Sequence, residues 1–320
     1  MRTPLPVIAT LLLELLTSAG CPPPVYPQTR VPLETLVAEH NANAEKLERL
    51  WAQVHMRVTL SDADGRTFLW GSASSLGRSN GRLMLTKEPD QGLQFAIVGS
   101  DVATELFRMG IDADAGLYYC WYNPGKDGKA WYGQTQYAGA PGVKAMPVDP
   151  TQLPEILGIT ELPLPLKDRM PAVVMTLRTD PFAYVVAYLK PQPVTGVLKV
   201  WREVCFRWDD KLPRRPFLVR LYDPTGLCRM EAELDRYEPV ESDGPKETWP
   251  VMPTSIRVTC PAIPNVQEFS RLEMTLSETS AVHPFSRKVF SFWPHLPPGV
   301  REPTQVDSQY GAVLPETPTP

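Results

Sequence analysis

The residue types that usually carry chemistry are sparse in this chain and form no known catalytic pattern. Its four histidines are His40, His55, His283 and His295. They fit no H-E-x-x-H spacing, and no G-x-S-x-G elbow, P-loop or G-x-G-x-x-G sequence occurs in the chain. The adjacent carboxylates Asp209 and Asp210 precede Lys-Leu-Pro, a composition typical of a hairpin tip rather than of paired catalytic acids. The sequence therefore predicts a protein that is not an enzyme, with no catalytic residue, no metal site and no cofactor.

The N-terminus carries a pattern that predicts a chemical modification. Residues 1–20 combine Arg2, an apolar run and the small residues Ser-Ala-Gly just before Cys21, which is the layout of a secretion signal peptide. The Ser-Ala-Gly-Cys end resembles a bacterial lipobox, and this resemblance implies that Cys21 becomes the lipidated first residue of the mature protein. The alternative is an ordinary cleaved signal with an incidental cysteine. Residues 21–30 are rich in Pro and are expected to form a semi-rigid tether.

The remaining cysteines are predicted to be structural. They lack the C-x-x-C spacing of a zinc or redox site, and in an exported protein either buried thiols or one disulfide would be expected. Cys228 and Cys260 fall on the apolar faces of the predicted strands Leu227–Tyr237 and Val251–Cys260. If these strands pair antiparallel about Gly244, the two cysteines lie opposite each other, so they are the candidates for a disulfide.

Composition limits the class of protein and its partners. The chain has 320 residues, 43% of them hydrophobic, which is enough for one large β domain with a real core. The net charge of −4 comes from 32 basic and 36 acidic residues spread along the chain, so no basic stripe is available to bind nucleic acid. Proline occurs 36 times, about twice its ordinary share, and lies mostly between strand-like runs or in the last thirty residues.

The elements that must position any site are mostly strands, and the clearest lie between Gly81 and Pro124. Apolar residues recur there at every second position, the period of a sheet with one face buried. Breaks rich in Gly, Pro or Asp separate three runs, so the strands are expected to form an antiparallel meander. If the sheet is strongly curved, its inward residues line an apolar cavity, for which the candidates are Leu83, Leu85, Phe95, Ile97, Phe107 and Met109.

Two helices and a second set of strands complete the predicted fold. Apolar residues between Pro32 and Trp51 recur with the 3.6-residue period of an amphipathic helix. Asp149 suits an N-cap and Gly158 a stop, which predicts one short helix over Pro150–Leu157. We expect a mainly β, α+β domain over residues 31–295, a large antiparallel sheet curved into an unclosed β-barrel. A disordered Pro-rich tail is expected over residues 296–320.

Large aromatic residues are in surplus, with eight tryptophans in the chain. They either fill the core of a sheet that is covered by helices, or line the apolar hollow of a curved sheet. Such a hollow could take acyl chains or an acylated peptide. The sequence alone leaves both interpretations open.

The order of the elements resembles the family of bacterial lipoprotein carriers and receptors of the LolA/LolB type. The resemblance rests on the amphipathic helix Leu33–Leu50 with its sequence HNAN, on the strand runs GRLMLTKEP and ELFRMGIDADAGLYYCWYNP, and on the short helix in MPVDPTQLPEILGI. It implies a half-open β-barrel that is closed by helices and holds acyl chains in its cavity. With Cys21 as an anchor, the chain resembles the anchored receptor more than the soluble carrier.

The resemblance and the N-terminal signal together imply a membrane-anchored, non-enzymatic envelope lipoprotein that binds or transfers lipid or an acylated lipoprotein. Its expected location is the outer membrane, facing the periplasm, through the lipid on Cys21. The alternative is a structural or interaction lipoprotein of the envelope, with a filled core and no ligand. A deep apolar cavity would favour the first, and a solid interior with an exposed apolar patch the second. An enzyme would require acidic or histidine side chains that converge in a pocket.

Overall fold

The computed structural model describes residues 30–61, 67–70, 80–90, 92–101, 104–123, 128–164, 172–192, 195–208, 214–264, 266–300 and 302–312. The sheet and both helices belong to one compact unit, Leu33–Pro320. Several predicted features lie outside the described residues. These are the signal peptide over residues 1–20, Cys21 with the tether over 21–29, the Asp209-Asp210 hairpin tip, and the end of the tail over 313–320.

Strands dominate the described chain, and two short helices accompany them. The helices are α1 (Leu33–Ala44) and α2 (Leu153–Ile156). The strands are β1 (Arg49–Ser61), β2 (Thr67–Trp70), β3 (Asn80–Glu88), β4 (Gly92–Asp101), β5 (Thr104–Asp112), β6 (Leu117–Tyr122), β7 (Lys129–Gln134), β8 (Ala172–Thr179), β9 (Phe182–Pro191), β10 (Leu198–Arg207), β11 (Pro216–Tyr222), β12 (Cys228–Pro239), β13 (Val251–Cys260), β14 (Ser270–Ser280) and β15 (Thr304–Gln305). The prediction of a mainly β, α+β fold is confirmed.

These strands form one sheet. Its order is β15-β7-β6-β5-β4-β3-β1-β14-β13-β12-β11-β10-β9-β8, with β2 paired to β1 beside this path. Neighbours are antiparallel except β15 and β7, which are parallel. The long strand β1 joins the two halves, because it pairs with β3 on one side and with β14 on the other. The sheet is curved and does not close into a barrel, as predicted.

The face of the sheet that carries the helices is the inner face. His40 of α1 meets the Phe206 ring of β10 edge-on, with ring centroids 6.1 Å apart, and Gly158 after α2 lies beside Leu234 of β12. Residues paired across antiparallel strands project from the same face. The registers therefore extend the inner face from Leu234 through β13, β14 and β1 to Leu83 of β3 and onward to β7.

The opposite, outer face of β3 to β7 is covered by the C-terminal segment, residues 285–312. Phe290 packs on β3 and β4, while Phe292 and Val300 pack on β6 and β7. Tyr119 donates a hydrogen bond to the Phe290 carbonyl oxygen at 2.8 Å, and Asp307 accepts one from the backbone of β7 at 2.7 Å. The prediction of a disordered tail from residue 296 is therefore wrong up to residue 312.

The physical reason for this difference is that part of the sheet is buried on both faces. All six residues of β6, with the sequence LYYCWY, are buried, so both faces of this strand need apolar cover. The C-terminal segment supplies that cover in spite of its prolines. Because most of the segment is irregular, proline there removes few hydrogen bonds from a ladder.

The sequence predicts the start of the turn before α2 correctly and the end of α1 incorrectly. Asp149 precedes a 3-10 turn at Pro150–Gln152, and its carboxylate accepts hydrogen bonds from the Thr151 amide at 2.9 Å and the Thr151 hydroxyl at 2.7 Å. The predicted N-cap is therefore confirmed. The predicted helix to Trp51 is too long, because α1 ends at Ala44 and the alternation of β1 already begins at Arg49.

Candidate functional site

The side chains predicted to line a cavity lie together on the inner face of β3, β4 and β5. They are Leu83, Leu85, Phe95, Ile97, Phe107 and Met109, and all six are fully buried. None of them lines either of two cavities found among the described residues. All six are therefore interior residues, and their role as the lining of a ligand cavity stays a prediction.

Open space on the inner face lies over β9 to β12, where the sheet forms a cleft with the loop over residues 138–152. The cleft has a volume of about 540 Å³, within the range of about 300–1,000 Å³ that is usual for small-molecule sites. Leu221 and Met230 line it from the sheet, and Val143, Met146 and Val148 line it from the loop. Both walls therefore supply apolar side chains.

Charged side chains also line the cleft. The cations are Lys144, Lys190, Lys199 and Arg229, and the carboxylates are Asp149 and Asp223. Both carboxylates are already used locally, because Asp149 caps the turn before α2 and Asp223 accepts hydrogen bonds from the Thr225 and Leu227 amides at 2.8 and 3.1 Å. The cleft thus combines apolar walls with an excess of positive charge.

The C-terminal segment fixes the loop over the cleft. The Lys144 amide donates a hydrogen bond to the Val306 carbonyl oxygen at 3.0 Å. The Tyr310 hydroxyl donates to the Pro141 carbonyl oxygen at 2.8 Å, and its ring stacks on Tyr137 with centroids 4.5 Å apart. The segment that covers the outer face of the packed half therefore also positions the cover of the cleft.

Two asparagines of α1 bind the helix to the rest of the fold. Asn41 donates to the Leu162 carbonyl oxygen at 2.8 Å and accepts from the Leu162 amide at 2.7 Å. Asn43 makes the same pair of bonds with Val251 of β13, both at 2.8 Å. Each side-chain amide thus satisfies a complete backbone unit, which fixes α1 to the sheet and to the stretch after α2.

Two titratable groups, the half-buried Lys87 and the buried His40, lie at the same contact. Lys87 donates to the carbonyl oxygens of Ala44 at 2.8 Å and Ile159 at 2.6 Å, and burial lowers its pKa to about 8. The Nε2 atom of His40 lies 2.9 Å from the Thr160 carbonyl oxygen, and burial lowers the pKa of His40 to about 4. His40 is therefore neutral at pH 7 and packs as part of the core.

A polar cluster lies at the β9–β10 side of the cleft. The Lys190 ammonium lies 3.7 Å from the centre of the Trp201 ring. The Arg202 guanidinium lies 4.7 Å from the Trp201 ring and 4.8 Å from the Tyr188 ring. Its Nη1 atom is 3.4 Å from a carboxylate oxygen of Glu155 in α2. Lys190 and Trp201 line the cleft directly.

Sequence reasoning missed this cluster, although a signal was present. In the alternation of β10, Arg202 occupies the same phase as Val204 and Phe206, which are buried on the inner face. A charged residue in the buried phase of a strand is unusual and marks a position that needs a special partner.

A second cavity, of about 940 Å³, lies on the outer face over β1 and β11 to β14. Its charged residues pair across strands, as in Arg57 with Glu273 at 3.3 Å and Arg257 with Glu233 at 2.8 Å. Exposed pairs of this kind contribute about 0–1 kcal/mol each. The charged side chains of this groove therefore pair with each other across neighbouring strands.

The predicted cysteine pairing is wrong in register. β12 and β13 pair antiparallel, as predicted, but Glu231 lies opposite Thr259. This register is two residues away from the one that would align Cys228 with Cys260, and both thiols are free in the structure. The connection between the strands contains its own 3-10 turn at Lys246–Thr248, so composition alone could not place its centre.

Among the residues that the structure describes, no group of three or more His, Cys, Asp or Glu side chains is placed to hold a metal ion. Neither helix in the described ranges is long and apolar enough to cross a membrane.

No family model matches the chain, and no curated protein sequence matches it. Solved structures that are similar to it include a DUF1329 family protein from Desulfovibrio piger, with 12% identity and a TM-score of 0.43 over 83% of this chain and 100% of that one. A domain described as an outer membrane lipoprotein-sorting protein, from Vibrio parahaemolyticus, has 12% identity and a TM-score of 0.43 over 80% of this chain and 94% of that one. A LolA superfamily protein from Nitrosomonas europaea has 10% identity and a TM-score of 0.38 over 82% and 99%. The last belongs to the superfamily that the order of elements resembles.

Proposed function

We propose that this protein is a non-enzymatic lipoprotein of the bacterial cell envelope whose cleft binds lipid or the acyl chain of a lipoprotein. The observation that carries the proposal is the cleft of about 540 Å³ between the inner face and the loop over residues 138–152. Apolar side chains line both of its walls. Because each buried methylene group contributes about 0.8 kcal/mol, even part of an acyl chain in such a cleft supplies useful affinity.

The cleft is formed before any ligand binds, and this supports a binding role. Its floor is a continuous sheet, and its loop is bonded to the C-terminal segment at Lys144 and Pro141. A preformed site loses little conformational entropy when it takes up a ligand.

The test of the cleft is uptake of a fluorescent fatty-acid probe by the chain carrying Cys21→Ser, which removes the predicted lipidation. We expect saturable binding. Val143→Trp puts a large ring on the loop wall of the cleft and should weaken binding by at least about tenfold. Val282→Trp is the matched control, because Val282 is exposed and does not line the cleft. Equal weakening by both variants, or no uptake at all, would refute the proposal.

The anchor and the location are proposed from the N-terminal sequence. Cys21 would carry acyl chains that hold the protein on the outer membrane, facing the periplasm. Mass spectrometry of the mature N-terminus tests this directly. An unmodified Cys21, or a chain that starts at another residue, would refute the anchor while leaving the cleft untouched.

The packed half of the sheet supports a second candidate function, that of an interaction lipoprotein without a ligand. Leu83, Leu85, Phe95, Ile97, Phe107 and Met109 on the inner face of β3 to β5 are fully buried and line neither of the two cavities described above. If the probe is not taken up and affinity capture with the anchored chain recovers one envelope protein in stoichiometric amount, the interaction role replaces the binding role.

A further inference from the structure

Arg202 is buried beside the cleft with fewer partners than its charge requires. Its side chain is 3% exposed, and its ion-pair partner in the described part of the chain is Glu155, at 3.4 Å. Glu155 is 39% exposed, so water weakens this pair. The rings of Tyr188 and Trp201 cover the guanidinium. A buried cation normally has close, hydrogen-bonded counter-charges.

A second buried arginine, Arg108, illustrates the hydrogen bonds that this protein provides to an arginine with a structural role. The side chain of Arg108 is 2% exposed. It donates from Nε and Nη2 to the two carboxylate oxygens of Glu105 at 3.0 and 2.8 Å, and from Nη1 to the Val289 carbonyl oxygen. Arg108 is therefore well satisfied by the protein itself, whereas Arg202 is not.

Three buried donors around Arg202 have no acceptor among the described residues. They are the Nε atom of Arg202, the hydroxyl of Tyr188 and the indole Nε1 of Trp201. The two nitrogen atoms can only donate. Burial raises the pKa of Tyr188 to about 12, so its hydroxyl keeps its proton at neutral pH. Because unpaired buried donors are costly, three of them in one place indicate a missing acceptor.

The position of these donors connects them to the cleft. A β-bulge in β10 between Val200 and Arg202 inserts Trp201 as an extra residue, and bulges often re-aim side chains in this way. Trp201 and Lys190 line the cleft. Leu221 of β11, which is the cross-strand partner of Arg202, also lines it. Lys190 and Arg202 supply two positive charges here and Glu155 supplies one negative charge, so this side of the cleft carries net positive charge.

We infer that this corner, formed by Tyr188, Lys190, Trp201 and Arg202, binds the anionic oxygen atoms of the ligand's head group, a phosphate or a carboxylate. The inference rests on the proposed function, because it takes the acyl chain to lie along the apolar walls. An anionic oxygen supplies the acceptor that the three donors lack and neutralises the excess charge. Hydrogen bonds to such an oxygen are charge-assisted and therefore stronger than neutral ones.

The test compares ligands that share one acyl chain and differ in head group. The full chain carrying Cys21→Ser is titrated calorimetrically, below the micelle concentration, with a lysophosphatidic acid, the fatty acid and the neutral monoacylglycerol. We expect both anionic ligands to bind at least about tenfold more tightly than the neutral one. Equal affinities would overturn the anion site and leave the proposed function in place. Absence of all binding would overturn both.

Inorganic phosphate alone is a further arm of the same titration. Weak binding, or none, supports a site for the head group of an acyl ligand. Binding as tight as that of the lysophosphatidic acid would overturn the head-group assignment and assign the corner to the free ion.

Two variants distinguish a role in ligand binding from a role in protein stability. Tyr188→Phe removes a hydroxyl that has no hydrogen-bond partner among the described residues, so the free energy of unfolding should not fall. The same change should weaken anionic ligands by about tenfold and leave the neutral ligand unchanged. Arg202→Gln should abolish the preference for anionic ligands.

Tyr184→Phe is the matched control, because Tyr184 is buried on the same face of β9 but pairs with Phe206, whereas Tyr188 pairs with Arg202. It should leave all affinities unchanged. If Tyr188→Phe lowers stability without changing the preference for anionic ligands, the tyrosine is purely structural and the inference is overturned.

Discussion

Lowering the pH from 7 to 4.5 is expected to destabilise the contact between α1 and the stretch after α2, because His40 is buried there as a neutral imidazole. The residue is 3% exposed, and its Nε2 atom lies 2.9 Å from the Thr160 carbonyl oxygen. A carbonyl oxygen only accepts, so Nε2 carries the hydrogen and the other ring nitrogen is unprotonated. Protonation would place a full charge in this buried contact.

The surroundings of His40 determine the sign and size of the effect. Burial is the main reason that its pKa falls from 6.5 to about 4. The hydrogen bond to the Thr160 carbonyl opposes this shift, and the cations Arg215, Arg202 and Lys87 each lower the pKa further by a smaller amount. Because the folded pKa lies below the unfolded value, the unfolded chain takes up the proton first as the pH falls. Stability is therefore lost between pH 6.5 and 4.

The two pKa values give the magnitude of the loss. The pKa difference corresponds to a loss of about 1.4 kcal/mol at pH 5.5 and about 2.6 kcal/mol at pH 4.5 relative to high pH. The limit at still lower pH is about 3.4 kcal/mol. A typical domain has about 5–15 kcal/mol of total stability, so this single group would account for a large share of acid sensitivity.

The assay is urea unfolding of the wild-type chain and of His40→Gln at pH 7, 5.5 and 4.5. Glutamine can donate to the Thr160 carbonyl oxygen in place of the imidazole and does not titrate. We therefore expect the free energy of unfolding of His40→Gln to fall less between pH 7 and 4.5 than that of the wild type, by about 2.4 kcal/mol. Carboxyl groups titrate in both proteins, so only the difference between the two slopes is assigned to His40.

His55→Gln is the control, because His55 is exposed on β1. Its pH dependence should match that of the wild type. If the curves of wild type and His40→Gln run parallel from pH 7 to 4.5, His40 is not neutral in the folded protein and the reasoning is refuted.

Three other predictions concern packing and cysteine chemistry. Asn43→Ala should lower the free energy of unfolding by about 2–4 kcal/mol in urea titrations, because it leaves the amide and carbonyl of Val251 unpaired. Phe292→Ala should cost about 3–5 kcal/mol, because the ring is fully buried on the outer face, and limited proteolysis should then cut early after residue 285. Cys260, whose pKa burial raises to about 12, should resist iodoacetamide until the protein is denatured, and peptide mapping without reductant should find no bridge to Cys228.

Exposed residues nearby provide the controls for these experiments. Lys46→Ala on the loop after α1 and Lys288→Ala in the C-terminal segment should each change stability by less than about 0.5 kcal/mol. A loss in Asn43→Ala no larger than that in Lys46→Ala would contradict the role given to the Val251 bonds. Protease resistance equal to that of the wild type in Phe292→Ala, or a bridged peptide with Cys228 and Cys260, would contradict the packing and register respectively.

Much of the sheet could be predicted from the sequence, because alternation acts over a few residues. Leu83 and Leu85, and Phe95 and Ile97, have the two-residue period that places them on one face, and the structure pairs them across β3 and β4. Asp149 before a proline predicted the turn that leads into α2. These signals depend on local geometry alone, so a single sequence contains them.

The features that the sequence leaves open or predicts wrongly depend on which distant segments meet. Whether Leu83 lines a cavity or a core is decided by the side chains packed against the inner face, and nothing in the strand itself records that outcome. The prolines of the C-terminal segment predict disorder, although Phe290, Phe292 and Val300 provide the apolar surface that covers the outer face. The register between Cys228 and Cys260 depends on a connection whose turn could not be placed from composition.

The arginines on the outer face of the sheet have different surroundings from Arg202 on the inner face. On the outer face, arginines such as Arg57 find glutamates on neighbouring strands, and a mutation there should change little because water can replace either partner. On the inner face, the Arg202 side chain is 3% exposed, and its ion-pair partner among the described residues is the partly exposed carboxylate of Glu155 at 3.4 Å. The half of the sheet around β6 is packed on both faces, so it resists deformation. The cleft lies over β9 to β12, away from this packed half, and beside it lie the donors of Tyr188, Trp201 and Arg202 that have no acceptor among the described residues.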